Sequence, residues 1–391
     1  MKKIKKPFVF TLSTVLVLSV FFLGVYPFFT YGQISAYEGP KIENWKPLSY
    51  DKEKKTVFII ADAKMTEMFD MLAPFYVFNA TDQLNVYIVS ENQTPIPLKK
   101  DLYVLPQMTF AQAEAMKLIA DVIVVPALSA RDQNQNPEII DFIKRNYRIK
   151  TSIISICDGA TTAAATGLYD GKKITAHATD YACVKKHWDK PVWVQDVTVA
   201  KSERTYSTAG VANAVEGALL VIEDLIGKEA RAKAAQAVNY PHKQIRLEHK
   251  SIPLSLGNKL SILRRMIFHQ KKLGLLLHDG LNELKFASIV DTYGRTYPKE
   301  FKTFTLQNSV VKTQYGLTFI HVGNNLINPK MDEVHVIMPE LLTQSDQQYF
   351  RGFEMVCQNS SGYPIDQCIE RISKQFGAHY AQVVKLTLDY N

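Results

Sequence analysis

The sequence is poor in cysteine, with only Cys157, Cys183, Cys357 and Cys368 among its 391 residues. Four cysteines are too few for a disulfide scaffold. No CxxC or HExxH spacing is present, so we predict no metal site and no cofactor. Cys357 and Cys368 bracket a turn-rich segment, which leaves two alternatives open, a local disulfide or two separate thiols.

The sequence also lacks an arginine-rich arm and a basic stripe with interleaved aromatic residues. The formal net charge is +8, yet the lysines and arginines are scattered, with small groups in MKKIKK at the N terminus and HQKK at 269–272. Proteins that bind nucleic acids concentrate positive charge on one face or along one helix. The charge pattern therefore argues against a nucleic-acid partner, and a 47% hydrophobic composition indicates a globular protein of one large or two smaller domains.

One long apolar run stands apart, because no charged residue occurs from Pro7 to Tyr37. Its most apolar part begins at residue 8 and ends at residue 29, long enough for a helix to cross a hydrocarbon core about 30 Å thick. The apolar region of a cleaved signal peptide is shorter, about 7–15 residues. We therefore predict a cytoplasmic basic tip at 1–6, an uncleaved transmembrane signal anchor at 7–30 and a linker at 31–54, with the rest of the chain outside the cytoplasm.

Short β-branched runs alternate with helical patterns from residue 55 onwards. TVFIIAD, LNVYIVS and DVIVVPA predict buried strands, whereas MFDMLAPFYVF and PEIIDFIKRNYR have apolar residues at helical spacing. This alternation predicts an α/β fold with a doubly wound, mostly parallel sheet of the flavodoxin-like type. We assign this domain to residues 55–245 and a connecting segment to 246–269.

The remainder of the chain, residues 270–391, shows similarity to the first domain. VFIIADAKMTEMFDMLAPFYV aligns with LGLLLHDGLNELKFASIVDTY, strand over strand and helix over helix, with Glu67 over Glu283. We therefore predict a C-terminal partial repeat that lacks the cysteine segment, packs against the first domain and shapes or covers its pocket. The alternative is a chance match between two strand–helix–strand units.

The segment TSIISICDGATTAAATG places Cys157 where a predicted strand ends and a predicted helix begins. Small residues surround the cysteine, as a sharp nucleophile elbow requires. The helix N terminus favours a thiolate, and the backbone N–H of Asp158 would face a developing oxyanion. The alternative is an inert buried cysteine.

Three further residues are candidate partners of the thiol. His177 ends the predicted strand KITAH and would act there as acid or base; the alternative is a capping histidine. Asp70 lies in an apolar helix, where burial would raise its pKa and let it share a proton with the thiol. Glu67 is an alternative, but its aligned residue Glu283 has no neighbouring cysteine, which favours a structural role.

These residues together resemble the ThiJ/PfpI family of the class I glutamine-amidotransferase-like superfamily. SICDGATTAAATGLYDGKKITAHATDY and YSTAGVANAVEGALLVIEDLIGKEARAKAAQAVNYPH carry the resemblance, which spans about residues 55–245 and is nearest to isonitrile hydratases and the sensor domains of AraC-type regulators. The resemblance implies that Cys157 is the elbow nucleophile, Asp70 the acidic residue that contacts it and His177 the nearby histidine. It implies a structural role for Glu216.

The sequence departs from the family at three points. VVPALSA places Ala127 and Leu128 where the family often has a glycine pair after the third strand. The family's oxyanion hole would then use the backbone near Leu128 and Asp158, and a side chain at this point would narrow the hole or change its backbone angle. Asp158 also stands where the peptidase branch has histidine, which argues against a peptidase. No helix-turn-helix pattern follows Tyr240, which argues against a transcription regulator.

Two functions remain open. The first is a membrane-anchored, extracytoplasmic cysteine-dependent hydrolase, hydratase or lyase that acts on a small carbonyl, amide or nitrile-like molecule. The second is a non-catalytic ligand-binding or redox-sensing module that uses the same pocket, with Cys157 as an oxidisable group. Either would take a small-molecule ligand, and a homodimer is compatible with both.

Overall fold

The computed structural model describes residues 35–39, 42, 50–129, 135–268, 271–306, 308–323, 331–350, 353–358 and 361–390. The predicted basic tip at 1–6, the predicted anchor at 7–30 and most of the predicted linker at 31–54 lie outside these residues. Among the helices that are described, none combines the length and the apolar character needed to cross a bilayer.

The first half of the chain forms a seven-stranded sheet. Its strands are β1 (Lys55–Ala61), β2 (Leu84–Ser90), β5 (Met108–Thr109), β6 (Val122–Val125), β7 (Ser152–Ile156), β10 (Val199–Ser202) and β11 (Thr205–Thr208). The order is β10-β11-β7-β6-β1-β2-β5, and every neighbouring pair is parallel except β10 and β11. The central strands are continuous β-branched runs because both faces of a parallel sheet are covered.

Helices cover both faces of this sheet. They are α1 (Met68–Asn79), α2 (Phe110–Ala115), α3 (Pro137–Asn146), α4 (Gly159–Ala165), α5 (Tyr181–His187), α6 (Ala214–Ile226) and α7 (Lys228–Ala237). Helices α2, α3 and α4 share one core, in which the rings of Phe110 and Phe142 stack 3.9 Å apart. Helices α1 and α6 pack together on the other face. The predicted doubly wound α/β fold is therefore confirmed.

Four short strands lie outside the main sheet. Strands β3 (Ile96–Lys99) and β4 (Leu102–Val104) form a hairpin, while β8 (Lys173–Ile174) and β9 (Val192–Trp193) form a two-stranded sheet. Helix α8 (Leu256–Phe268) then occupies most of the predicted connecting segment.

A second, all-parallel sheet follows α8. Its strands are β12 (Lys272–Leu277), β13 (Glu300–Thr305), β16 (Glu333–Val336) and β17 (Met355–Cys357), in the order β13-β12-β16-β17. The helices are α9 (Glu283–Gly294), α10 (Gln344–Tyr349), α11 (Pro364–Phe376) and α12 (Ala378–Thr387), and strands β14 (Val310–Lys312) and β15 (Thr318–His321) form a hairpin.

The two sheets have the same strand order, since β13-β12-β16-β17 corresponds to β2-β1-β6-β7. Pairing places Phe58, Ile123 and Ile153 side by side in the first sheet and Gly274, Val334 and Met355 side by side in the second. Four residues beyond Ile153 is Cys157, whereas four residues beyond Met355 is Asn359, which lies outside the described residues. The register favours the predicted repeat.

The last two helices also have counterparts in the first unit. Helices α6 and α11 have 13 residues each, helices α7 and α12 have 10 each, and one glycine separates each pair. Gly227 and Gly377 have φ angles of +99° and +86°, in the region that favours glycine. The structural similarity between the two units therefore extends through α12, beyond the sequences that could be aligned.

The two units meet through equivalent elements. Helix α1 packs against α9, and β4 pairs antiparallel with β15, which joins the two hairpins into a four-stranded sheet β14-β15-β4-β3. Like elements that meet like elements are the mark of a two-fold interface. Residues Tyr37–Asn391 consequently form one compact unit.

The cysteines are not paired in this structure. Cys357 is exposed and Cys368 is buried, and the Gln358 side-chain amide donates a hydrogen bond to Cys368 Sγ at 3.2 Å. Of the two alternatives for this pair, the structure has the two separate thiols.

Candidate functional site

Cys157 follows the last residue of β7 and precedes α4 by one residue. Its φ angle is +54°, a conformation that is strained for a residue with a side chain and that recurs at functional sites. The residue is only 6% exposed. The sequence TSIISICDG therefore forms the predicted sharp turn between strand and helix.

Gly159 explains why this turn needs a small residue. A Cβ atom at position 159 would collide with the carbonyl oxygen of Val125 and would lie 2.7 Å from that of Pro126. The first turn of α4 is thus pressed against the end of β6. The backbone N–H and hydroxyl of Thr161 both donate to the carbonyl oxygen of Asp158, at 3.0 and 2.7 Å, and fix this turn.

Asp70 is fully buried on α1, and its carboxylate joins α1 to the end of β6. Oδ2 accepts a hydrogen bond from the backbone N–H of Ala127 at 3.0 Å, whereas Oδ1 has no hydrogen-bond partner among the described residues. A buried oxygen without a partner is costly and marks a candidate for a chemical role.

Glu67 caps the N terminus of α1, where its carboxylate accepts a hydrogen bond from the backbone N–H of Asp70 at 2.6 Å. Burial, then the charge of Asp291 on α9, raise its pKa to about 7. Burial and the neighbouring Glu67 raise the pKa of Asp70 well above its usual value. Burial and the mutual repulsion of two neighbouring carboxylates both favour the protonated form of this pair.

The surroundings of Cys157 keep its thiol protonated. Burial raises its pKa well above the usual value, and the charges of Asp70, Asp158 and Glu67 act in the same direction, in that order. A backbone hydrogen bond from Asp158 opposes them. The helix dipole at α4 is therefore outweighed here by burial and by three acidic neighbours.

Leu128 lies in the loop after β6, which is joined to the loop before α1. The N–H of Glu67 donates to the carbonyl of Ala127 at 2.8 Å, and that of Ser129 donates to the carbonyl of Met65 at 3.1 Å. These two bonds flank a bridge between Thr66 and Leu128. The Ala127 N–H is engaged by Asp70 and is not available to an oxyanion, and the roles of the Leu128 and Asp158 backbone in an oxyanion hole stay predictions.

His177 makes other contacts than the predicted one. Its Nε2 lies 3.2 Å from the carbonyl oxygen of Thr387 at the end of α12, and its Nδ1 accepts a hydrogen bond from the N–H of Thr179 at 3.2 Å. This pattern fits a neutral ring that carries its proton on Nε2. Among the described residues, His177 has no hydrogen bond to Cys157, so the structure does not bring the predicted acid–base pair together.

Comparison with known proteins identifies the family of one segment of the chain. Residues 54–224 match the sequence profile of the DJ-1/PfpI family. These residues are a DJ-1/PfpI domain. The resemblance read from the cysteine, aspartate and helix motifs is thereby confirmed.

Two curated proteins are similar in sequence to this DJ-1/PfpI domain. Isonitrile hydratase of Pseudomonas putida is 23% identical over 188 residues, which cover 48% of this chain and 75% of the relative. Protein dj-1beta of Drosophila melanogaster is 26% identical over 145 residues, which cover 37% and 75%. The crystal structure of Drosophila DJ-1beta aligns at 24% identity with a TM-score of 0.41 and covers 46% of this chain and 96% of that structure.

Glu216 of the DJ-1/PfpI domain lies on α6, away from the elbow. The hydroxyl of Tyr240 donates to its Oε1 at 3.2 Å, and burial raises its pKa to about 7. The second unit has the same arrangement, in which the hydroxyl of Tyr390 donates to Asp366 Oδ1 at 2.7 Å. Since a unit without the cysteine keeps this acid–tyrosine bond, the predicted structural role of Glu216 is favoured.

Sequence reasoning missed the residues that the second unit brings to the DJ-1/PfpI domain. Thr387 O also accepts from Arg295 Nη1 at 2.7 Å, while Asp389 accepts from the Ala178 N–H at 3.0 Å and pairs with His249 Nε2 at 2.9 Å. The signal that would have found them is the 13-Gly-10 spacing shared by the two helix pairs, which ends in NYP and DYN.

Two cavities formed by the described residues do not include Cys157, and one of about 470 Å³ is lined by residues that include Arg231, Tyr240 and Ser361. No three histidine, cysteine or carboxylate side chains lie together there in a way that could hold a metal ion. A cavity of about 60 Å³ lies beyond β1 and β2, and its lining includes Asp62, Lys64 and Asn136 but not Cys157. The thiol is therefore enclosed in this conformation.

Proposed function

We propose that the DJ-1/PfpI domain is a cysteine-dependent hydratase, hydrolase or lyase for a small, uncharged carbonyl, amide or nitrile-like molecule. The observation that carries the proposal is the pairing of Cys157, in a strained turn at the end of a strand, with Asp70, a buried carboxyl group that has one oxygen without a partner. The name of the isonitrile hydratase relative supports an uncharged substrate with an electrophilic carbon.

The site residues support a mechanism in which each residue has a separate chemical role. A carboxyl group of the Glu67–Asp70 pair, in its ionised form, takes the thiol proton of Cys157 as the sulfur forms a bond to the electrophilic carbon. The pair returns that proton to the substrate. Attack by water on the same carbon then breaks the carbon–sulfur bond and restores the thiol. The backbone N–H groups at Leu128 and Asp158 are the proposed donors to negative charge that develops on the substrate.

The charge of the site supports a neutral substrate. Glu67, Asp70, Asp158 and Asp291 all act electrostatically on the thiol or on the carboxyl pair. An anionic substrate would add a further negative charge to a buried region, which is costly without a cationic partner.

Turnover by site variants tests this proposal. The full chain is screened with isonitriles, glyoxals and simple amides, in parallel with Cys157→Ser, Asp70→Asn and the exposed-cysteine control Cys183→Ser. We expect Cys157→Ser to abolish turnover, Asp70→Asn to lower kcat about 100-fold or more, and Cys183→Ser to leave it unchanged. Turnover that survives Cys157→Ser would remove the cysteine as nucleophile.

A non-catalytic ligand-binding or redox-sensing module is the second candidate. It is favoured by the engagement of His177 with Thr387. The raised pKa of the enclosed thiol favours ligand binding over redox sensing within this candidate, because oxidation proceeds through the thiolate. Peroxide treatment of the full chain, followed by mass spectrometry, separates the two. Stoichiometric oxidation of Cys157 without turnover of any screened substrate would support the sensor, whereas turnover that depends on Cys157 would support the enzyme.

We further propose that residues 7–30 anchor the protein to a membrane with the DJ-1/PfpI domain on the extracytoplasmic side. The apolar run and the preceding lysines support this placement. The full chain should stay in the membrane fraction after alkaline carbonate extraction, and protease added outside intact cells should cleave it. Release by carbonate would contradict the anchor.

A further inference from the structure

Helix α8 connects the two units and packs against the fold through one face only. Ile262 and Arg265 on that face are buried. The guanidinium of Arg265 lies 3.6 Å from the centre of the Phe376 ring, and its Nε donates to the Thr296 carbonyl at 3.3 Å. Ser261 and His379 are hydrogen-bonded at 3.2 Å beside them. The orientation of α8 is thus fixed by α11 and α12.

The opposite face of α8 carries an exposed apolar stripe. Leu256, Leu260 and Ile267 are 70%, 45% and 55% exposed. Their spacing of four and seven residues places them on one line along the helix, with Leu263 between them. Scattered exposed apolar residues are ordinary, but a continuous line of them on a soluble surface marks an interaction site.

Positive charge borders this stripe on both sides. At about 100° per residue, Lys259 and Arg264 lie on either side of the line through Leu260 and Leu263. Residues 249–278 contain six lysines and arginines and no aspartate or glutamate. An apolar stripe between cations is the pattern of a helix that lies in the interface of an anionic bilayer.

We propose that α8 is a membrane-surface helix whose exposed stripe enters the headgroup region of an anionic bilayer. Lipid phosphates pair with Lys259 and Arg264, and Leu256, Leu260 and Ile267 contact the acyl boundary. The proposal does not depend on catalysis at Cys157. It gains support from the predicted anchor at 7–30, which would hold the chain at a bilayer.

Fluorescence quenching of the full chain in nanodiscs tests the proposal. The exposed cysteines are replaced (Cys183→Ser, Cys357→Ser), and a fluorophore is attached at Leu260→Cys or, as control, at Ile149→Cys, which is 93% exposed outside α8. The nanodiscs hold phosphatidylcholine with about one third phosphatidylglycerol and a shallow lipid nitroxide. Because an interfacial helix lies about 5–10 Å deep, we expect the label at 260 to lose about half its intensity or more and the label at 149 to be unaffected.

Charge and apolar variants refine the same measurement. Lys259→Gln with Arg264→Gln, or phosphatidylcholine alone, should reduce quenching at 260, and Ile267→Glu should abolish it. Equal quenching at 260 and 149 would overturn the proposal. So would an absence of quenching at 260 in the anionic nanodiscs, since a protein segment or a second copy would then cover the stripe. Co-elution with nanodiscs reports on the anchor separately, so failure of either idea is recognised on its own.

Discussion

At the scale of single residues, Gly159 in the elbow has no space for a side chain. Replacement by alanine would push a methyl group into the carbonyl oxygens of Val125 and Pro126, which belong to backbone and cannot rotate away. We expect Gly159→Ala to lower the free energy of unfolding by about 3 kcal/mol. Urea denaturation measures this loss.

Gly294 offers the matched control. It ends α9, and a Cβ atom there would meet no neighbour within 4 Å. Gly294→Ala should be neutral or slightly stabilising, because alanine has the higher helix propensity. Equal losses in the two variants would show that space at the elbow is not the cause.

The raised pKa of Glu216 should make the free energy of unfolding depend on pH. Its pKa is about 7 in the folded protein against an ordinary value of 4.5, so the folded state binds more protons between these two values. The free energy of unfolding therefore falls as the pH rises from 4.5 to 7, by up to about 3 kcal/mol for this one group. Glu216→Gln, which keeps an acceptor for Tyr240, should be more stable than the parent at pH 8 and similar to it at pH 5.

Urea midpoints at the two pH values provide the measurement, and Glu229→Gln on the exposed side of α7 is the control. The control should not change the pH dependence. A Glu216→Gln variant with an unchanged pH dependence would mean that this carboxyl group is already ionised in the folded protein.

The sequence was sufficient to locate Cys157 and Asp70 but not the contacts of His177. The first two depend on local features, a sharp turn and an apolar helix, which the neighbouring residues reveal. The partner of His177 is Thr387, which is 210 residues away and belongs to the other unit. No local pattern encodes such a contact, because it depends on how the units meet.

At the scale of elements, the C-terminal segment after α12 lies beside the strand that neighbours the elbow. Thr208 on β11 pairs with Ile156 on β7, so the ends of these strands are about 5 Å apart. Gly210, two residues beyond Thr208, has Asp389 directly against it. The segment therefore covers the strand adjacent to Cys157.

Asp389→Ala should loosen this cover. The fully buried carboxylate accepts from Ala178 and pairs with His249, and its loss would leave both groups without a partner. We expect a loss of about 3 kcal/mol in unfolding free energy and faster alkylation of Cys157. The measurements are urea denaturation and mass spectrometry after a timed exposure to iodoacetamide.

Tyr390→Phe is the control for the next residue. It removes the exposed hydrogen bond to Asp366 and should cost about 1 kcal/mol or less. If alkylation of Cys157 proceeds at the same rate in Asp389→Ala and in the parent, the C-terminal segment does not limit access to the thiol.

The order of strands and helices was largely predictable, whereas the extent of the repeat was not. Alternation of β-branched runs and apolar helices identified β1, α1, β2, β6 and β7, because burial on both faces leaves a strong pattern. The similarity of α11 and α12 to α6 and α7 rests on lengths, one glycine and one tyrosine. The packing of these helices depends on their lengths, and their surface positions accept almost any residue. The two sequences can therefore diverge while the structure is kept.

At the scale of the whole molecule, the two units depend on each other. Residues 68–78 of α1 are all buried, and α9 covers part of that surface. A chain that ends at residue 245 would expose this helix and the edge of β4, which now pairs with β15. We expect such a chain to dimerise or aggregate.

Size-exclusion chromatography with light scattering tests this expectation against the full chain in the same detergent. The full chain should unfold in one transition because the shared hairpin sheet couples the units. A soluble, monomeric chain ending at residue 245 with a cooperative unfolding transition would show that the first unit is autonomous.

The meeting of like elements inside one polypeptide has a genetic consequence. In a homodimer, every substitution appears on both sides of the two-fold axis, so neither subunit can specialise. Here Asp70 aligns with Phe286, and this difference occurs once. One unit can therefore keep the cysteine while Thr387 and Asp389 of the other contact His177 and Ala178.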